Sequence, residues 1–75
     1  NPASHSFNTE LSLEKSSHLN IVLTNVLGEK INQVFNGDAQ QLILPVDVQS
    51  LPSGIYLLQV HLEGEVAVKR VVVSH

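Results

Sequence analysis

The stretch LPSGIYLLQV, residues 51–60, decides how the chain is expected to fold. It places the single tyrosine of the chain, Tyr56, two residues after a glycine and directly before a hydrophobic run. In an extended strand alternate residues share one face, so Tyr56 and Leu58 point to the same side. The pattern predicts a half-buried strand over residues 55–62 that begins at a tight corner.

Outward from this strand, the chain shows the same period of two and almost no helical signal. Polar or glycine-containing turns are expected at residues 14–18, 27–29, 36–38, 50–54 and 63–64. They separate six predicted strands, which cover residues 6–13, 19–25, 30–36, 41–48, 55–62 and 65–74. Pro45 cannot donate a ladder hydrogen bond, so the fourth strand is expected to lie at an edge or to break at a bulge.

These elements predict an all-β fold, a small antiparallel immunoglobulin-like β-sandwich of six to seven strands. A small open barrel is the alternative. Residues 1–5 are interpreted as the end of a linker and residues 6–75 as the sandwich domain. The chain starts with asparagine and has no basic and apolar leader, so we expect it to be a piece of a longer polypeptide.

A corner around Tyr56 fits such a sandwich. In immunoglobulin-like domains a tyrosine near the start of a late strand packs in the core, and its hydroxyl bonds the backbone a few residues upstream. Here Leu51 is expected to plug one end of the sandwich, Pro52 to fix one backbone angle and Gly54 to permit the chain reversal.

The last predicted strand carries two adjacent basic residues, Lys69 and Arg70, which would point to opposite faces of a regular strand. Either one of them faces inward by its aliphatic stem or a bulge lies there.

Composition excludes several classes of function. The chain has seven acidic residues against four Lys and Arg and a net charge of -3, which argues against nucleic-acid binding. It has no cysteine, so a disulfide, a thiolate metal site and a cysteine nucleophile are unavailable. The apolar runs are far shorter than the roughly 18 residues of a membrane span, so none is predicted.

No catalytic, cofactor-binding or metal-binding residue is predicted. The histidines at positions 5, 18, 61 and 75 lack the close pairing that is typical of metal sites. His61 is interpreted as a solvent-facing strand residue. Asp47, Ser53 and His61 could form a catalytic trio, but a small sandwich offers such trios by chance. We therefore expect neither an enzyme nor a cofactor.

Four pieces of the sequence, in this order, resemble one known family. They are Asn1-Pro2, residues 19–28 with Leu27-Gly28 at their end, Leu51-Pro52-Ser53-Gly54-Ile55-Tyr56, and Lys69-Arg70-Val71-Val72-Val73. The ordered set spans essentially the whole chain and resembles the C-terminal sorting domain of the type IX secretion system of Bacteroidota, in its type A form. The chain departs from the family pattern at Asn25, where an aspartate is common, and no aromatic residue precedes Asn1.

The resemblance implies that the domain is a sorting signal for secretion. Cargo proteins cross the inner membrane by an N-terminal signal, and this kind of domain is then read in the periplasm by the outer-membrane translocon. A sortase-like cysteine peptidase commonly removes the domain, and the cargo stays on the cell surface or is secreted. The implied partners are the translocon, this peptidase and a covalently attached upstream cargo domain.

The final hairpin is the expected contact with the translocon, through strand addition at an exposed edge. The same edges are predicted to be able to pair two copies as a homodimer. A fibronectin-like structural spacer or adhesion module is the alternative function. The sorting-signal candidates are Asn1, Pro2, Gly28, Leu51, Pro52, Gly54, Tyr56, Lys69, Arg70, Val71, Val72 and Val73.

Overall fold

The computed structural model describes residues 5–75, which form four antiparallel strands in one sheet. The strands are β1 (Ser6–Asn25), β2 (Lys30–Asp47), β3 (Gly54–Leu62) and β4 (Glu65–Val73). Their order across the sheet is β2-β1-β3-β4, so β2 and β4 lie at its edges. The all-β antiparallel prediction is confirmed, whereas the described residues show neither six strands nor two separate sheets.

The predicted linker end and the candidates Asn1 and Pro2 fall on residues 1–5, of which the first four lie outside the described residues. His5 is described, and its carbonyl accepts a hydrogen bond of 2.9 Å from the Val48 amide.

The first two predicted strands are one continuous strand, β1. Its pairing with β2 is regular up to Ser12, opposite Gln41, and resumes at Ser17, opposite Ala39. Residues 13–16 of β1 therefore lie against one residue of β2, which is a large bulge. The prediction of a turn at residues 14–18 is therefore wrong, because these residues lie within β1. Because bulges bend and twist a strand, this one lets the two halves of β1 run in different directions.

The third and fourth predicted strands are likewise one strand, β2. The hairpin predicted at residues 36–38 was wrong, because Asn36 and Gly37 pair with Asn20 and Leu19 of β1. A two-residue hairpin of the Asn-Gly type needs positive φ angles, and Gly37 is not among the glycines with positive φ. The edge position predicted from Pro45 is confirmed, since β2 is an edge strand.

Two predicted turns are confirmed. Gly28 has a φ of 86° in the β1–β2 connection, and Glu63 and Gly64 have φ angles of 46° and 84° between β3 and β4. Two consecutive positive φ angles in a two-residue loop are those of a type I′ turn, whose twist matches that of the flanking strands. A positive φ angle is unusual for a glutamate, whereas Gly64 adopts its positive φ angle without strain.

The core is one cluster, to which both halves of the bent β1–β2 pair contribute side chains. Val46 and Val48 are 2% and 0% exposed and belong to the same cluster as Leu23 and Leu58. The bend therefore buries the inner face of the sheet against itself, which is the burial that a sandwich achieves with two sheets. The buried cluster consists of Ile21, Leu23, Val46, Val48, Tyr56, Leu58, Val71 and Val73.

Alternation predicted the inward faces correctly in most places. Leu19, Ile21 and Leu23 are buried, while Leu42 and Leu44 are partly buried. Within residues 5–75, no helix is long and apolar enough to cross a membrane.

Candidate recognition surface

The sheet brings sequence-distant candidates together at one of its ends. Asn25, the last residue of β1, lies opposite Tyr56 of β3, and Tyr56 lies opposite Val71 of β4. Gly54 lies opposite Val73. The Gly28 turn, the Tyr56 corner and the last valines therefore meet at what we call the corner end, made of residues 25–28, 51–56 and 71–75.

Tyr56 forms the predicted corner. It is 8% exposed, and its hydroxyl donates a hydrogen bond of 2.6 Å to the carbonyl of Pro52. Leu51 packs against the core cluster, and its amide donates to the carbonyl of Val48 at 3.1 Å. The reversal is thus made by residues 48–51, and Gly54 already belongs to β3.

Tyr56→Phe keeps the ring in the core and removes one hydrogen bond. We expect a loss of about 0.5–1.5 kcal/mol in the free energy of unfolding, measured by urea denaturation. The Pro52 carbonyl would lose its protein donor in the variant. Unchanged stability would show that the hydroxyl does not hold the corner.

His75 reaches the same corner, a role that the sequence pattern did not predict. Its amide donates to Oγ of Ser53 at 3.1 Å, and its Nε2 lies 2.8 Å from the carbonyl of Leu51. A carbonyl oxygen only accepts, so Nε2 carries the proton and donates. Tyr56 and His75 together hold all three residues 51–53. His75 follows the last predicted strand, where no periodic pattern applies, so no sequence signal pointed to this contact.

The Gly28 turn is held by Asn25. Its Oδ1 accepts hydrogen bonds from the amides of Leu27 at 2.9 Å and Glu29 at 3.0 Å. Its Nδ2 donates to Oε1 of Glu29 at 2.9 Å. An aspartate at this position would keep both acceptor contacts but would set its carboxylate against that of Glu29. The asparagine is therefore matched to Glu29 in this chain.

Lys69 and Arg70 lie in a regular part of β4. Arg70 is opposite Leu57 and Lys69 is opposite Leu58, with no register shift between β3 and β4. The bulge predicted as one alternative for this position is therefore absent. The other alternative, in which one of the two residues faces inward by its aliphatic stem, fits the structure. Lys69 lies on the face of Val71 and lines an apolar groove, while Arg70 points to the outer face.

The outer face of β4 is unusually apolar for an exposed surface. Val66, Val68 and Val72 are 53%, 56% and 39% exposed. By contrast Val71 and Val73, on the inner face, are part of the buried core cluster. Val71, Val72 and Val73 were all predicted as sorting-signal candidates. Of these three, Val72 alone is exposed, and the other two stabilise the fold.

The described residues do not assemble a catalytic or metal site. Ser53 directly precedes β3 and His61 lies near its far end, about 26 Å away at the rise of an extended strand. The Ser53 hydroxyl is engaged with His75. Residues 5–75 contain no group of three His, Cys, Asp or Glu residues that could hold a metal ion. His61 is half-buried on the outer face, opposite Asn20 and Val66.

A family model described as the secretion system C-terminal sorting domain matches residues 1–74. Because the match covers nearly all of the chain, the chain belongs to this family, and the resemblance to type IX sorting domains is confirmed. The family is one of sorting signals, not of enzymes. No curated protein and no solved structure matches the chain.

Proposed function

We propose that this domain directs a covalently attached upstream cargo through the type IX outer-membrane translocon to the cell surface or the medium. The observation that carries the proposal is the family match over residues 1–74. The proposal includes two further assignments: the domain is of the type A form found in Bacteroidota, and it passes through the periplasm. The resemblance of the four ordered pieces of sequence supports them.

The structure supports a signal that is read as a folded shape. The corner end, where β3 begins and β4 ends, is held by hydrogen bonds of Tyr56, His75 and Asn25. Beside it, β4 offers an edge that no other strand within residues 5–75 pairs with, and two exposed basic side chains, Lys69 and Arg70. In this proposal the buried candidates shape the signal, and the exposed residues of β4 contact the translocon.

Release of the cargo belongs to a partner in this proposal. A sortase-like cysteine peptidase hydrolyses the chain between cargo and domain, and its own thiolate supplies the nucleophile. The present chain contains no cysteine. The domain's part is to present its upstream linker, which enters the fold at His5, where the carbonyl is bonded to Val48.

The contact surface is tested by reversing its charge without disturbing the core. Lys69 and Arg70 are both exposed, so Lys69→Glu/Arg70→Glu should fold. We expect it to reduce surface display of a fused reporter by about tenfold or more, because it reverses both charges of the proposed contact. Display is measured by whole-cell immunolabelling in a type IX-competent bacterium.

The chain offers a matched control in its other two basic residues. Lys15→Glu/Lys30→Glu changes the net charge by the same amount at exposed positions on β1 and β2. It should leave display near the wild-type level. Equal losses in both double variants would point to net charge instead of β4, and no loss in either would remove β4 from the proposal.

A further inference from the structure

The free edge of β4 is long, and of the usual protections of an edge strand it has only charge. β4 pairs with β3 from Glu65 to Val73 without a register shift, and in the described part of the chain nothing pairs with its other side. Natural edge strands are commonly short, bulged, interrupted by proline or charged. β4 has nine residues, no proline and no bulge, and its central charges are Lys69 and Arg70.

An apolar groove runs along the inner side of this edge. Its volume is about 170 Å³, and residues of all four strands line it. Residues 6–12 of β1 pair with β2 alone among the described strands, so a second free edge borders the groove. The lining includes Thr9, Leu11, Leu42, Leu58, Val60 and Lys69.

A strand added to β4 would find apolar surface on both of its faces. Every second side chain of the added strand would face the groove beside Leu58 and Leu11. The remaining side chains would extend the outer face next to the exposed Val66, Val68 and Val72. Main-chain hydrogen bonds to β4 would supply the rest of the contact.

The charges of β4 determine which strand fits. Lys69 and Arg70 are neighbours and point to opposite faces, so each pairs most favourably with an acidic residue directly opposite on its own face. Neither makes an ion pair within residues 5–75. They are two of the four Lys and Arg residues of a chain with net charge -3, so this edge is positive on an acidic domain.

A second copy of β4 is a poor partner in the registers that use the whole strand. Antiparallel pairing of all nine residues, Glu65 to Val73, would place Lys69 opposite Lys69 of the other copy. A shift by one residue would place Lys69 opposite Arg70. Like charges directly opposite each other destabilise a ladder.

We propose that β4 binds, by strand addition, an extended partner segment that carries two adjacent acidic residues flanked by apolar residues. The two acidic side chains lie opposite Lys69 and Arg70, and alternate apolar side chains enter the groove. This rests on the proposed function, since it states what kind of segment on the secretion machinery reads the domain.

The test uses the 75-residue chain and two synthetic peptides, VTVDEVTVT and VTVKRVTVT, which differ in their central pair. We expect the acidic peptide to bind about tenfold more tightly, because two cross-strand charge pairs replace two repulsions. Amide hydrogen exchange should slow at alternate residues of β4. Lys69→Glu/Arg70→Glu should reverse the preference by a similar factor, with its amide NMR fingerprint confirming the fold.

Equal binding of both peptides, or protection that maps away from β4, would overturn the inference. So would a concentration-dependent dimer of the chain alone that protects β4, since a second copy would then be the occupant. Export reports separately on the proposed function. If the charge-reversed variant loses surface display while the peptides bind equally, the sorting role stands and the acidic-strand partner does not.

Discussion

Leu58→Ala is expected to lower the free energy of unfolding by about 2–5 kcal/mol. Leu58 is 1% exposed, lies in the middle of β3 opposite Leu23 of β1, and belongs to the core cluster. A domain of 75 residues has a total stability of about 4–11 kcal/mol. The substitution therefore removes a large fraction of the stability, and part of the variant population should be unfolded in water.

Urea denaturation of the purified domain measures this loss, with Leu27→Ala as the matched control. Leu27 is 81% exposed in the β1–β2 turn, so its truncation should change stability by no more than about 0.5 kcal/mol. Similar costs for the two substitutions would contradict a core centred on β3.

Removal of residues 69–75 is expected to abolish both folding and export. The deletion takes away the partners of Gly54 to Leu58 in the β3–β4 ladder. It also removes Val71 and Val73, which are 6% and 2% exposed, and the two hydrogen bonds of His75 to the corner. The deleted protein should show no thermal unfolding transition by circular dichroism. Surface display of the fused cargo should be lost in the same variant.

The shorter deletion of residues 74–75 is the control for this truncation. It leaves β4 intact and removes the contacts of His75 with Leu51 and Ser53. We expect a loss of about 1–2 kcal/mol, with a folded and exported domain. A folded protein after the longer deletion would contradict the core role of Val71 and Val73. Because the longer deletion unfolds the domain, it cannot by itself separate recognition from stability, and charge reversal is the sharper test.

Local patterns predicted the faces of the strands but not their ends. Alternation placed Leu23, Val46 and Leu58 in the core correctly, because side-chain direction depends on the two-residue period alone. The turns at residues 14–18 and 36–38 were wrong, because β1 and β2 continue to pair with each other through those residues. Pairing along a long partner strand overrides the local preference of Asn-Gly for a turn.

The candidate site was partly predictable for a similar reason. The Tyr56 hydroxyl bond to Pro52 lies within four residues and has a local sequence pattern, and the structure contains it. The contact of His75 with Ser53 joins residues 22 positions apart and has no such pattern. The division of the terminal valines between core and surface follows from the regular β3–β4 register, which the adjacent Lys69 and Arg70 had left open.

The central claim is that this domain is sufficient to address a cargo to the type IX system. It is tested most directly by fusing residues 1–75 to the C-terminus of a passive reporter that carries an inner-membrane export signal. In a type IX-competent bacterium, we expect the reporter on the cell surface or in the medium, and less of it there when the domain carries Leu58→Ala. Periplasmic retention of the reporter with the unmodified domain would contradict the account and would favour a structural spacer.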